Sequence, residues 1–385
     1  MNPYPDVISS KLPNTGTSIF AVMSHLAQEH DALNLSQGFP DFEVSPDLVD
    51  LVVKHMREGR NQYAPMPGLP ALREAIAEKT HRLYGAAYHP DSEITVTPGA
   101  TQAIFAAITA FVREEDEVII FEPAYDSYVP AVKINGGMPI TCKLKAPSFT
   151  VDWEEVRRHI TNRTRMIIIN TPHNPTGSVL GADDMAELER IVKNTGILVL
   201  SDEVYEHIVF GEENHQSVCR YPGLAERSVV TCSFGKTFHA TGWKTGYCLA
   251  PANLMKEFRK THQFMVFCSN TPVQHALAEF LQNPDNYDGI GQFYERKRDF
   301  FLDAVRSSRF SYTPAAGTYF QLLDYSKISD LPEAEFARQL VTEHKLAAVP
   351  TSSFYQKPID NQTLRFCFAK SDATLEKAAE ILCHI

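Results

Sequence analysis

Lys236 stands in a stretch whose spacing suits covalent chemistry. Ser233 lies three residues before it and Lys244 eight residues after it, in Ser233-Phe234-Gly235-Lys236-Thr237-Phe238-His239-Ala240-Thr241-Gly242-Trp243-Lys244. The run Val229, Val230, Thr231 predicts a strand that delivers the lysine into a polar turn. A lysine so placed can hold a carbonyl compound as a Schiff base while Ser233 and Lys244 hold a phosphate. Pyridoxal phosphate carries both groups, and proteins that use it bond it through lysine and pair its ring nitrogen with a carboxylate. Gly235-Lys236-Thr237 also matches the tail of a P-loop, but that motif needs a glycine five residues before Gly235, where Val230 stands. An isolated lysine in a glycine-containing loop is by default a surface residue, so the other candidates decide the reading.

A free lysine has a pKa of about 10.4 and is not nucleophilic at neutral pH. Desolvation and a nearby cation, which Lys244 can supply, lower it. The freed Lys236 amine is then placed to move a proton at a substrate Cα. Asp202 follows an apolar strand, where an unpaired charge is costly. It reads either as a cap or ion pair, or as the partner of the cofactor's ring nitrogen. Tyr205 lies one turn further on if that segment is helical, and reads as a core tyrosine or a donor to the ring's 3-oxygen. Asn174, in Thr171-Pro172-His173-Asn174-Pro175-Thr176-Gly177, is a turn residue whose amide can reach the same oxygen. Gly99-Ala100-Thr101 opens a helix, and backbone N–H groups at a helix N-terminus bind phosphate. Tyr125 is a candidate stacking partner for the ring.

These residues need a scaffold that brings them together. Helices are predicted over 17–30 with Thr17 as cap, and over Leu69–Leu83, stopped by Gly85. The stretch Leu33–Phe42 reads as extended. Strands at Ile94–Thr97, Val118–Phe121, Met166–Asn170, Ile197–Ser201, Val229–Ser233 and Thr245–Ala250 alternate with helices at Ala100–Val112, Tyr125–Ile134 and Asp183–Val192. Continuous apolar strands alternating with helices predict a mostly parallel sheet covered on both faces. Long helical patterns follow at 252–282 and 287–307. Strands Tyr319–Leu323 and Leu364–Phe368 then mix with helices Glu333–Glu343 and Ala373–Leu382. The expected fold is α/β, a large domain with a seven-stranded type of sheet plus a smaller α+β domain. Ligands of such sheets sit at the carboxyl ends of strands, where Gly99, Asn174, Asp202 and Lys236 all fall.

Composition bounds the alternatives. The 385 residues are 44% hydrophobic and 22% charged, with a net charge of -11. That balance argues against a nucleic-acid or anionic-membrane partner. Seven scattered cysteines form no C-x-x-C pair, and fourteen histidines include no H-E-x-x-H, so neither a disulfide framework nor a metal site is expected. No apolar run approaches a membrane span and no apolar signal core opens the chain. The cytoplasm is the expected location. No G-x-G-x-x-G supports a dinucleotide-dependent oxidoreductase.

Taken together, S-F-G-K-T-F-x-x-T-G-W-K, N-P-T-G and S-D-E-V-Y, with Leu35–Phe42 and Asn61–Gly68, resemble the fold-type-I pyridoxal-phosphate-dependent aminotransferases of class I/II, from about Leu33 to Lys370. The resemblance is closest to the methionine aminotransferase and kynurenine aminotransferase/glutamine transaminase K branch. It implies that Lys236 bonds the cofactor, that Asp202 holds the ring nitrogen, and that Asn174 and Tyr205 hold the 3-oxygen. Ser233, Lys244 and the Gly99–Ala100–Thr101 backbone would hold the phosphate, with Tyr125 stacked on the ring. It further implies that Arg365 clamps the substrate α-carboxylate with the Gly38 backbone and Asn174. Tyr63 would reach the phosphate of a second subunit, making the active site shared in a homodimer. The implied domains are an N-terminal arm (1–45), a large cofactor domain (46–285) and a small domain (286–385).

Two departures from the family pattern bear on substrate. Many members carry arginine where Lys244 stands, and lysine lacks the bidentate fork. Dicarboxylate-specific members use a second arginine from the partner subunit, but the corresponding stretch here, Gln263–Asn270, has no arginine or lysine and offers Phe264, Met265 and Phe267. Phe267 and Phe20 are thus expected to favour an apolar side chain. The resulting expectation is an L-amino acid:2-oxo acid aminotransferase working by a ping-pong cycle on methionine and aromatic donors. Its rivals are a cysteine-conjugate β-lyase on the same site and a pyridoxal-phosphate-binding regulator without turnover.

Overall fold

A computed structural model describes residues 9–211 and 214–385, so residues 1–8 of the expected arm lie outside the described part. Strand β1 (Leu33–Asn34) precedes the seven strands of the main sheet: β2 (Ile94–Thr97), β3 (Glu117–Glu122), β4 (Met138–Lys143), β5 (Thr164–Asn170), β6 (Leu198–Asp202), β7 (Ser228–Ser233) and β8 (Gly246–Leu249). Their order is β2-β8-β7-β6-β5-β3-β4. β8 runs against both its neighbours, and the other ladders are parallel. The mostly parallel α/β sheet is as expected.

The strands are apolar throughout because both faces are covered. Side chains alternate across a strand. On β5, Ile167 and Ile169 enter one core while Met166 and Ile168 enter the core on the opposite face. On β3, Ile119 and Phe121 separate in the same way from Val118 and Ile120. A third core surrounds β9 (Phe320–Asp324), β10 (Leu346–Ala347), β11 (Val349–Pro350) and β12 (Thr363–Cys367). There β11, β12 and β9 form an antiparallel sheet, while β1 pairs in parallel with β10. Helices Ile19–Glu29, Ile290–Ala304, Glu333–Thr342 and Asp372–Cys383 pack on it, matching the smaller α+β unit.

Several boundaries differ from the sequence reading. Ser18, not Thr17, caps the first helix, its hydroxyl accepting from the Ala21 N–H at 3.3 Å. The pattern at 252–282 is two helices, Ala252–Met265 and Thr271–Phe280. The break follows from Asn270, whose side chain caps the second helix at Val273, and from Pro272 in its first turn. The 287–307 pattern begins as a helix at Ile290, after a short turn at Asp285–Asp288. The helix expected from Tyr125 starts at Tyr128, which leaves Tyr125 on the loop after β3. Of Leu33–Phe42 only Leu33–Asn34 is strand, and bends follow. Helices Pro46–Arg57 and Trp153–His159 and the edge strand β4 went unread.

A buried charge pair braces the sheet where β6 ends. The Lys79 Nζ donates to Glu206 Oε1 at 2.7 Å, and both side chains are only 2% exposed. Tyr84 and Tyr247 hydroxyls also donate to the Glu206 carboxylate. Burial disfavours the charge on Glu206, yet Lys79 holds its carboxyl below the usual range. Removing one partner of a buried pair strands the other charge, at about 3–5 kcal/mol. Lys79→Met should therefore lower the free energy of urea unfolding by that amount. Lys79→Met with Glu206→Gln should recover most of it. A single variant as stable as the parent would show the pair to be dispensable.

Candidate active site

A cavity of about 230 Å³ opens along the carboxyl edge of the sheet. The edge follows from topology. Strands β2, β3, β5, β6 and β7 end there, and the loops after them supply Gly99, Tyr125, Asn174, Lys236 and the strand-end residue Asp202. β8 runs the other way, so the residues before it arrive at the same edge. Gly246 is in register with both Ser233 and Thr97, which brings Lys244 beside the turn at Gly99. Gly246 must lack a side chain, because a Cβ there would lie 2.4 Å from the Cys232 carbonyl oxygen. Gly99 adopts φ +82°, which only glycine takes without strain, and opens the helix Ala100–Phe111.

Thirteen of the expected residues line this one cavity. They are Phe20, Gly38, Gly99, Ala100, Thr101, Tyr125, Asn174, Asp202, Tyr205, Ser233, Lys236, Lys244 and Arg365. Two do not. Tyr63 is 84% exposed and meets Phe267, itself 43% exposed, edge to face at 5.5 Å between ring centres. Within one chain neither reaches the cavity; both were expected to act across a subunit boundary, which a single chain does not contain. Tyr205 lies in a turn at 204–207, not on a helix, because the chain reverses directly after β6; it still lines the cavity.

The polar groups form a linked network. Tyr128 donates to Asp202 Oδ2, and the Val204 N–H reaches Oδ1 at 3.4 Å. Asn170 accepts from the Asn174 N–H at 2.8 Å and donates to the Asp202 carbonyl at 2.9 Å, so one side chain fixes both neighbours. Arg365 Nη1 donates to Asn174 Oδ1 at 2.7 Å, and Nη2 to the Ser36 carbonyl at 3.0 Å. Its guanidinium lies 3.8 Å from the centre of the Phe320 ring and 5.1 Å from those of Phe20 and Phe354. Tyr125 and Thr101 hydroxyls lie 3.2 Å apart. The Ser233 hydroxyl accepts from the Lys236 N–H at 3.3 Å. The Gly38 carbonyl accepts from Lys236 Nζ at 3.0 Å. Tyr128, Asn170, Ser36 and Tyr319 were not singled out from sequence. Tyr128, Ser36 and Tyr319 act across 74 to 329 residues, and Asn170, besides holding Asn174 four residues on, reaches Asp202 across 32, so no local spacing marks these meetings.

Burial tunes the charges. It lowers the Lys236 amine to about 8, and Arg365 and Lys244 push the same way while Asp202 opposes. It raises the Asp202 carboxyl to about 6, against the Tyr128 hydrogen bond. It lowers Arg365 to about 10. Outside the cavity, Cys142, Glu155 and His159 place potential metal-ligand atoms within 4.8 Å of one another. Burial pushes that thiol up to about 12, so it is protonated at neutral pH.

The chain belongs to the aminotransferase class I and II family, whose profile matches residues 30–382. It is 50% identical over 383 residues to the methionine aminotransferase of Escherichia coli, covering 99% of both chains. It is 34% identical to the kynurenine–oxoglutarate transaminase of Dictyostelium discoideum, covering 97% of this chain and 95% of that one. A crystal structure from Escherichia coli, described as identifying a methionine aminotransferase function, superposes with a TM-score of 0.97 at 50% identity. That match covers 99% of this chain and all of the other. No helix among the described residues is long and apolar enough to cross a membrane.

The amine's depressed value has a direct consequence. Trace labelling with acetic anhydride, in the absence of added aldehydes, should modify Lys236 with a midpoint near pH 8, its reactivity rising with pH as the amine loses its proton. Exposed lysines should titrate near 10.4. Peptide mass spectrometry across a pH series measures both, and a Lys236 midpoint above pH 10 would contradict the effect of burial.

Proposed function

We propose that the chain is a pyridoxal-phosphate-dependent L-amino acid:2-oxo acid aminotransferase, preferring methionine and aromatic donors and acting as a cytoplasmic homodimer. The observation that carries the reading is the convergence of a half-buried amine, a buried carboxyl and a buried guanidinium on one cavity. The residues fit the cofactor. Lys244 Nζ would lie 3.6 Å from a Cβ built at Gly99, so a cation sits against the N-terminal turn of a helix, an anion seat that suits a phosphate. Ser233 and the Ala100 and Thr101 backbone belong to the same seat. Asp202, braced by Tyr128, suits a protonated ring nitrogen. Tyr205 and the Asn174 amide nitrogen suit the ring oxygen, and Tyr125 suits the ring face.

When bound, the cofactor supplies an electron sink that stabilises charge left on the substrate Cα. The chain supplies the rest. Lys236 would anchor the cofactor covalently and, once displaced, move a proton at Cα. Arg365 would grip the α-carboxylate, with its face on Phe320 and its Nη1 fixed by Asn174. Every amino acid offers that carboxylate, so discrimination falls to the side-chain pocket, where Phe20 stands. The exposed aromatics Tyr63, Phe264 (87% exposed) and Phe267 support pairing with a second copy, in which Tyr63 would approach the other subunit's phosphate seat. We assign the arm to 1–45, the large domain to 46–285 and the small domain to 286–385.

Borohydride reduction of the protein with pyridoxal phosphate should place the pyridoxyl mass on Lys236. Label elsewhere, or none, would sink the cofactor assignment.

Selectivity gives a second check. Each buried methylene is worth roughly 0.8 kcal/mol, while a carboxylate entering an apolar pocket loses hydration without a partner. Methionine should exceed aspartate by about a hundredfold in kcat/KM, or about 2.7 kcal/mol. Half-reaction rates measured side by side decide it, and equal rates would require a cation from elsewhere.

A further inference from the structure

Three polar atoms meet in a triangle beside the cavity. Lys236 Nζ lies 2.7 Å from the Tyr319 hydroxyl and 3.0 Å from the Gly38 carbonyl oxygen, and the Tyr319 hydroxyl lies 2.6 Å from that same carbonyl. The hydrogen positions follow from valence. A carbonyl oxygen has no proton, so it accepts from both neighbours. The phenol has one proton, and the carbonyl takes it. The phenol's lone pairs are then left for the amine, which donates to both oxygens. With Cε and two N–H bonds assigned, one tetrahedral position on Nζ remains, on a side chain that lines the cavity. In the ammonium it is a third N–H, and in the neutral amine it is the lone pair.

Tyr319 is held firmly enough to make this geometry specific. It is fully buried, and its ring packs edge to face on Tyr205 at 5.2 Å and tilted on Tyr294 at 5.6 Å. Its carbonyl accepts from the Phe368 N–H at 3.0 Å, and the preceding Thr318 N–H donates to the Ile208 carbonyl at 2.9 Å. A phenylalanine would fill the same ring space, so packing does not account for the hydroxyl. We infer that Tyr319, with the Gly38 carbonyl, is the resting station of the free Lys236 amine, holding it by its N–H bonds so that its remaining position is aimed for proton transfer. Tyr319 is thus a positioning residue. The inference rests on the aminotransferase reading above and adds to it a residue that orients the moving base.

Tyr319→Phe tests it in the full-length chain, with Tyr294→Phe as control, since the buried Tyr294 hydroxyl has no hydrogen-bond partner. Two readouts are taken. The first is the pH dependence of the rate at which added pyridoxal phosphate becomes covalently fixed, followed by absorbance. An acceptor facing the amine favours its protonated form, so its loss should move the midpoint down by about half a pH unit or more. The other groups around the amine are unchanged in the variant: Asp202, Arg365, Lys244, Cys367 and Tyr205. The second readout is the reaction with methionine in the cofactor-loaded enzyme. There kcat should fall at least about tenfold with KM within about twofold, because Arg365 is untouched, and the isotope effect with α-deuterated methionine should rise. Tyr294→Phe should match the parent in both. A Tyr319→Phe protein with the parent's pH midpoint and isotope effect overturns the inference, even if its activity or thermal stability falls. If Tyr319→Phe does not fold, 4-fluorophenylalanine at position 319 fills the place of the hydroxyl with a much poorer acceptor that cannot ionise, and it must shift the midpoint the same way. A parent protein that never fixes pyridoxal phosphate refutes the aminotransferase reading itself, an outcome separate from these.

Discussion

The buried guanidinium of Arg365 constrains the rest of the site. It is 1% exposed, and among the described residues no carboxylate lies within salt-bridge distance. Burial of an unpaired cation costs several kcal/mol. Two carbonyl-type oxygens, from Asn174 and Ser36, offset part of that, while Nε has no partner. Aromatic rings supply the remainder, with Phe320 against one face. Such an arrangement is stable enough to fold and still favours an incoming carboxylate. It also locks the architecture. Arg365 is on β12, Asn174 follows β5 and Ser36 follows β1, so one side chain ties three segments with separations of 191 and 329 residues.

The same electrostatics make Lys236 usable. An exposed lysine is almost wholly protonated at neutral pH. Lys236 is half-buried near Arg365 and Lys244, and each cation disfavours another. Lys244 arrives there because β8 reverses the sheet direction, placing the segment before it at the edge where β7 ends. One antiparallel strand in an otherwise parallel sheet therefore sets the position of a cation that adds to the larger effect of burial in lowering the amine. Asp202 balances the set. The Tyr128 hydrogen bond keeps its buried carboxyl from rising further, so it remains able to pair with a ring cation.

What the sequence made legible was local. Lys236, Asp202, Asn174 and Gly99 each sit within a few residues of a strand end, and apolar runs marked those strands. The helical pattern of the sequence runs on from Tyr125 without a break, so it does not separate the loop residue Tyr125 from the helical Tyr128. In sequence Asn170 is only the last residue of an apolar strand, yet its amide fixes both Asn174 and Asp202. Tyr319 and Ser36 act on partners 83 and 329 residues away, and no periodicity encodes such meetings. Tyr63 and Phe267 were grouped with the site through resemblance to the family. A single chain leaves them against each other and exposed.

The turn after β6 shows why catalytic geometry and stability are not separable here. Asp202 and Tyr205 line the cavity. Glu203 and Glu206, their sequence neighbours, instead make buried bonds away from it. Glu203 accepts from the Ser201 hydroxyl at 2.8 Å and the Val218 N–H at 3.1 Å, and it meets His215 Nε2 at 2.8 Å. Glu206 takes Lys79, Tyr84 and Tyr247. A turn with two loose faces would let Asp202 and Tyr205 shift, and misplacement by about 1 Å can cost a hundredfold in rate. Two carboxylates driven into the core on one side fix the two site residues on the other. Apolar side chains would have been cheaper to bury, but they would not fix the orientation of the turn. Directional hydrogen bonds do, and the buried Lys79 is the counter-charge that makes that solution tolerable.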